Sequence, residues 1–125
     1  MATILVVEDS ADNMKLFTTL LRLRGHRVVG LSGGEGLLET MRASGPDLVL
    51  MDIQLPGRDG FALLDEIRHA QGKSVLVVAL TAHAMAGDRE RAIGAGFDGY
   101  IAKPIDIRHF PEQVETALAG RMIPE

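Results

Sequence analysis

Leu48-Val49-Leu50-Met51-Asp52 decides the fold: four apolar residues without interruption, stopped by a carboxylate. Three other runs have the same form. Ile4-Leu5-Val6-Val7 stops on Glu8-Asp9, Val75-Leu76-Val77-Val78-Ala79-Leu80 on Thr81, and Tyr100-Ile101-Ala102 on Lys103-Pro104. Short apolar runs rich in β-branched residues are strands buried on both faces, which means a parallel sheet. In an open parallel sheet, ligands bind beyond the carboxyl ends of the strands. Three carboxylates, a hydroxyl and an ammonium are therefore expected along one edge of the protein.

Helical patterns fill the gaps between the runs. Ala11 to Arg24 carries Met14, Phe17 and Leu21 at helical spacing, with Gly25 as its stop. Arg27 to Leu31 is a weaker strand, and residues 34–43 form a helix closed by Ser44-Gly45-Pro46. A helix with Leu63, Leu64 and Ile67 on one side follows the loop from Leu55 to Gly60, where Gly57 and Gly60 are turn residues. A poorer helix spans about Ala86 to Ala95, weakened by Gly94 and Gly96. The last helix begins near Ile107 with Ile107, Phe110, Val114 and Leu118 on one stripe. Pro111 conflicts with an interior position there, so the helix starts late or its first turn is irregular. The pattern is five β-α units in an α/β, doubly wound domain with right-handed crossovers.

The 125 residues form one domain, 1–125, with its core at about 2–119. A formal charge of −4 leaves no basic field for nucleic acid or an anionic membrane surface. No apolar stretch approaches the ~20 residues of a transmembrane helix. The absence of cysteine excludes disulfides and thiolate metal sites. With Met1 leading directly into a strand and no signal-peptide pattern, the expected compartment is the cytoplasm. Too few residues follow Leu118 for an output domain, so output is expected to run through a protein partner.

Glu8, Asp9 and Asp52 at one edge bring like charges together, which is costly unless a cation fills the cluster or a proton is retained. Carboxylate oxygens without Cys or His favour Mg²⁺ or Mn²⁺. An aspartate beside such a metal is a candidate nucleophile toward phosphorus. Lys103 can neutralise phosphoryl oxygens and the Thr81 hydroxyl can donate to one of them. The set suits phosphoryl transfer onto an aspartate. Taken singly, each residue reads more simply as a solvated turn cap.

Over nearly its full length the chain resembles a response-regulator receiver domain, the CheY-like family of two-component signalling. The matching residues are Glu8-Asp9, Asp52 followed by Ile53-Gln54-Leu55-Pro56, Asp59-Gly60, Thr81-Ala82, and Tyr100 before Lys103-Pro104. Asn13-Met14-Lys15-Leu16-Phe17 with Thr81-Ala82-His83-Ala84-Met85 and Gly87-Asp88 is similar to single-domain regulators of the DivK type, a signature that receivers of hybrid kinases share in part. The resemblance implies the flavodoxin-like strand order 2-1-3-4-5, which comes with the family rather than from the residues. It implies that Asp52 accepts phosphate from a sensor histidine kinase or histidine phosphotransfer protein. Asp9, Asp52 and the backbone carbonyl of Gln54 would hold Mg²⁺, with Glu8 acting through a water. Thr81 and Lys103 would bind the phosphoryl group, Thr81 and Tyr100 would form the switch, and His83 and Gln54 would flank the site. A cis bond before Pro104 would aim Lys103 at it. Asn13, Leu16 and Leu20 on the first helix, with Ile105, would dock the phosphodonor, although these apolar groups also fit the margin of a core. No separate substrate turnover is expected, so the chain is not read as an enzyme in its own right.

Other readings fit less well. A haloacid dehalogenase-type phosphatase wants a second aspartate two residues after the nucleophile, where Gln54 stands. Glu8-Asp9 would repel the phosphate of a flavodoxin-like cofactor. A receiver-like binding module that works without phosphorylation usually lacks an acid or the lysine, and this chain keeps both. A receiver excised from a hybrid kinase is the remaining alternative. His26, His69, His83 and His109 lack metal-ligand spacing and are read as surface or packing residues.

Overall fold

The computed structural model describes residues 2–55, 60–71, 75–82 and 87–120. Five strands, β1 (Thr3–Val7), β2 (Arg27–Leu31), β3 (Leu48–Asp52), β4 (Leu76–Thr81) and β5 (Gly99–Ala102), form one parallel sheet in the order β2-β1-β3-β4-β5. All four pairings are parallel; Val7 lies opposite Met51 and Leu31, and Asp52 opposite Leu80. The central strands are the uninterrupted apolar runs, as expected for strands covered on both faces: Leu48 to Met51 and Ile4 to Val7 have no solvent exposure.

Alternation along each strand feeds two cores. Leu5, Val7, Val49, Met51, Val77 and Ala79 point toward the side covered by α2 (Leu37–Ser44), α3 (Gly60–Gln71) and α4 (Asp88–Ala95). Ile4, Val6, Leu48, Leu50, Val78 and Leu80 point toward α1 (Ala11–Leu23) and α5 (Phe110–Leu118), where the Phe17 and Phe110 rings stack at 5.1 Å. With both faces buried, a one-residue slip would exchange the two sets of side chains and lose both packings.

Two helix starts and the role of one glycine differ from the sequence expectation. α2 begins at Leu37 rather than 34, because Gly36 takes a left-handed conformation (φ 75°) and caps the helix. α5 begins at Phe110, with Pro111 in its first turn, where a missing N–H costs nothing. Ile107 therefore precedes the helix and is exposed instead of joining its apolar stripe. Gly60 is no mere turn residue. It opens α3 so close to β3 that a Cβ there would lie 2.6 Å from the Cα of Ile53. Gly57 lies outside the described residues.

Candidate functional site

Each strand end delivers one part of the site. Glu8 follows β1, and its N–H donates to the Leu31 carbonyl, so the chain stays in register with β2 one residue past β1. Ser10 then caps α1, its Oγ accepting from the Asn13 N–H at 3.3 Å, and the turn leaves Asp9 exposed beside the sheet edge. Asp52 and Thr81 are the last residues of β3 and β4, at 2% and 0% exposure. The Lys103 N–H donates to the Thr81 carbonyl at 2.7 Å, which carries the β4–β5 ladder to the residue before the cis Lys103–Pro104 bond.

At the centre, the Lys103 ammonium bridges two buried acids, 3.0 Å from Glu8 Oε1 and 2.9 Å from Asp52 Oδ2. The second oxygen of each acid also has a donor: the Ser10 N–H reaches Glu8 Oε2 at 3.0 Å, and the Gln54 N–H reaches Asp52 Oδ1 at 2.9 Å. Burial alone would push the Lys103 ammonium toward its neutral form. Hydrogen bonds and charge from Asp52 and Glu8 outweigh it, and the group is held above its ordinary value. Burial pushes Glu8 up, opposed by its bonds to Ser10 and Lys103 and reinforced by the Asp52 charge. Glu8, Asp9 and Asp52 each offer a carboxylate oxygen within 4.8 Å of the others. Three carboxylates against one ammonium leave two negative charges, the deficit that one divalent cation balances, so these donors fit Mg²⁺.

Two further observations concern the residues read as the switch and the docking strip. The Tyr100 hydroxyl is buried without a hydrogen-bond partner among the described residues. Burial holds the phenol above its ordinary value and so disfavours its ionisation, with smaller contributions in the same direction from Asp88 and Glu90. Asn13, Leu16, Leu20 and Ile105 are half-buried, and the three apolar ones rest against the α1–α5 core. His83, Asp59, Ala84 and Met85 lie outside the described residues. Of the other histidines, His26 accepts from the Ala2 N–H at Nδ1 and meets Glu115 at 3.1 Å, a packing role. His69 lies 2.8 Å from the Asp65 carbonyl, and His109 2.8 Å from Asp106.

The sequence assigns Lys103 only to phosphoryl oxygens, and its contact with Glu8 is a finding of the structure. The strand-end pattern placed both residues at this edge, yet only coordinates reveal that Lys103 supplies part of the charge compensation. Ser10 was a readable signal: a serine three residues before Asn13, leading an apolar-periodic helix.

This fold, with an acid cluster and a lysine at the carboxyl edge, defines a class of signalling domain. A family model for the response regulator receiver domain matches residues 4–115, and the chain belongs to that family, the receiver domains of two-component systems. The polar-differentiation response regulator DivK of Brucella anthropi is 38% identical over 122 residues, covering 93% of this chain and 95% of that protein. DivK of Brucella abortus stands at the same identity and coverage. Among solved structures, a LuxR-family two-component response regulator from Aurantimonas superposes with a TM-score of 0.88 at 30% identity, covering 99% of this chain and 91% of that one. A CheY-like receiver domain from Methanospirillum hungatei gives 0.85 at 24% identity over 96% and 95% of the two chains, which bears on the fold alone. Among the described residues, no helix is long and apolar enough to cross a membrane.

Proposed function

We propose that this receiver is a phosphorylation-controlled switch in the cytoplasm, phosphorylated on Asp52 and read by a protein partner. The observation that carries this is the pairing of Lys103 with both Glu8 and Asp52 inside a cluster whose three carboxylates lie within 4.8 Å. A Asp52 oxygen attacks the phosphorus of a phosphohistidine on a sensor kinase or phosphotransfer protein. The P–N bond breaks, and the imidazole leaves with its electron pair and takes a proton. Asp9, Asp52 and the Gln54 carbonyl would hold Mg²⁺, with Glu8 acting through a water. When bound, Mg²⁺ supplies charge that offsets the cluster and polarises the phosphoryl oxygens.

The protein's own residues do the rest. The Gln54 N–H holds one Asp52 oxygen in place while the other is released from Lys103, whose ammonium then follows the charge onto the phosphoryl group. Thr81 donates to a phosphoryl oxygen, and Tyr100 rotates into the space that it leaves. Tyr100 has little to lose, since its buried hydroxyl makes no hydrogen bond among the described residues. The chain acts on no separate substrate. Asn13, Leu16, Leu20 and Ile105 form the surface on which the phosphodonor docks.

The test is labelling by acetyl phosphate with Mg²⁺. Wild type should take up one phosphoryl group, while Asp52→Asn and wild type in chelator should take up none. Equal labelling of the variant, or no dependence on the metal, would overturn the assignment. Wild type that stays unlabelled by both acetyl phosphate and a phosphorylated histidine protein would point instead to a module that works without phosphate.

A further inference from the structure

α4 is held unevenly. Its sequence, Asp88-Arg89-Glu90-Arg91-Ala92-Ile93-Gly94-Ala95, buries only Ala92, and left-handed glycines stand at both ends, Gly87 (φ 90°) and Gly96 (φ 115°). Its C-terminal end is anchored by charge. The Arg68 guanidinium of α3 donates to the Gly96 carbonyl at 2.9 Å, to Asp98 Oδ2 at 2.7 Å and to the Val75 carbonyl at 2.8 Å. Asp98 Oδ2 in turn accepts from the Val77 N–H at 2.9 Å, tying this corner to β4. The middle of α4 is held by something softer. The Arg91 guanidinium lies 4.7 Å from the centre of the Phe61 ring, and that ring meets Phe97 edge-on at 5.6 Å and 81°.

We propose that Arg91 over Phe61 is a latch that holds α4 against α3 and opposes phosphorylation-linked movement of α4. The inference rests on the switch reading above. The contact coexists with an Asp52 carboxylate paired to Lys103. Arg91 stands five residues from Gly96, a lever of roughly 7.5 Å at helical rise. A tilt of about 15° about the Arg68 anchor moves that point by roughly 2 Å. From 4.7 Å, this carries the guanidinium beyond the ~6 Å reach of a cation–π contact. A contact made in one arrangement and lost in the other shifts the equilibrium by its own free energy. For an exposed cation–π pair that is a factor of about 2 to 5.

The experiment titrates the full chain with beryllofluoride and Mg²⁺, following amide NMR signals of residues 87–102. Arg91→Gln, a surface change that leaves the fold intact, should tighten beryllofluoride binding about 2- to 5-fold. Phe61→Leu keeps the charge and removes the ring, and should tighten it similarly. Adding Arg91→Gln to Phe61→Leu should bring no further gain, which separates a latch from a direct effect of the arginine's charge on the site. Unchanged binding in Arg91→Gln, or an equal gain in the Phe61→Leu background, overturns the latch while leaving the switch reading intact. A merely structural contact would lower the urea midpoint without tightening binding, and that too overturns it. Wild type that fails to bind beryllofluoride overturns the switch reading and the latch together.

Discussion

Replacing Lys103 with methionine keeps the aliphatic stem and removes the charge that two buried acids share. Glu8 and Asp52 have side chains 1% and 3% exposed, and Lys103 itself is 13% exposed. Breaking such a pair from one side leaves buried charge uncompensated and costs about 3–5 kcal/mol. That is a large part of the 5–15 kcal/mol typical of a whole domain. The carboxylates have one escape, which is to bind a proton. In Lys103→Met, Glu8 loses a partner that favours its ionised form, and burial already raises it. A raised acid binds more protons folded than unfolded, so the variant loses stability as pH rises through the window above 4.5. In wild type, the Lys103 contribution is fully present below its unfolded value of 10.5 and is lost only above the raised folded value. Urea unfolding in chelator should therefore show a gap of about 3–5 kcal/mol at pH 8 that narrows at pH 5. Mg²⁺ should narrow it at pH 8 as well. A pH-8 gap under about 1 kcal/mol, or one independent of pH, would refute the electrostatic account and leave only lost packing.

Asp9→Asn removes one charge from the cluster, so the metal-free protein should melt slightly higher. The gain from Mg²⁺, about 2.7 kcal/mol in wild type at a hundredfold excess over Kd, should largely disappear; a variant that keeps the full gain would remove Asp9 from the metal site. Gly60→Ala forces a Cβ against the Ile53 backbone, at 2.6 Å without movement. The expected loss is about 1–3 kcal/mol by urea unfolding, and a change within the error of the measurement would mean that the α3–β3 approach is soft. Leu16→Ala or Ile105→Ala should slow transfer from a phosphorylated histidine protein about fivefold or more, while acetyl phosphate labelling stays near wild type. Equal loss with both donors would make these side chains structural.

The three central strands were legible because a fully buried parallel strand writes its burial directly into composition, and β5, at an edge and only partly buried, was legible from its short apolar run before Lys103-Pro104. β2 was fainter, since only Val28 is buried along it and its other residues are exposed or half-buried. Helix starts were less legible. Near α2, the glycines at 33, 34 and 36 permit several conformations, and only the left-handed φ of Gly36 decides where the helix begins. Near α5, Ile107 mimics helical spacing with Phe110, and Pro111 was the better guide. That Glu8, Asp9, Asp52 and Lys103 meet at one edge was readable, but the pairing among them was not. Lys103 meets Glu8 across 95 positions of sequence and Asp52 across 51, and no local pattern encodes such partners. The Arg68 anchor and the Arg91–Phe61 contact were invisible for the same reason, since an arginine on a helix reads as a solvated charge until its neighbours are known.

The charge balance of the site says what kind of signal phosphorylation can be here. A phosphoryl group carries about −1.5 to −2, but on the proposed assignment Asp52 would give up its own negative charge on forming the acyl phosphate. The net change is only about −0.5 to −1. Glu8, Asp9 and Lys103 already set a strongly polarised field at this edge, so one further fraction of charge is a small perturbation of it. What changes more is geometry. A carboxylate held at two oxygens, by Lys103 and the Gln54 N–H, becomes a larger group with three strong acceptors further from β3. Two donors at the sheet edge can follow those acceptors, the Lys103 ammonium and the Thr81 hydroxyl. Thr81 ends β4, its carbonyl accepts from the Lys103 N–H, and the chain beyond it leads toward α4, so its displacement bears on the most lightly buried helix of the domain. The sheet itself is too tightly packed on both faces to yield. On the proposed assignment, an acyl phosphate would therefore act by relocating hydrogen bonds, and the response would be confined to the side of the molecule where the packing is weakest.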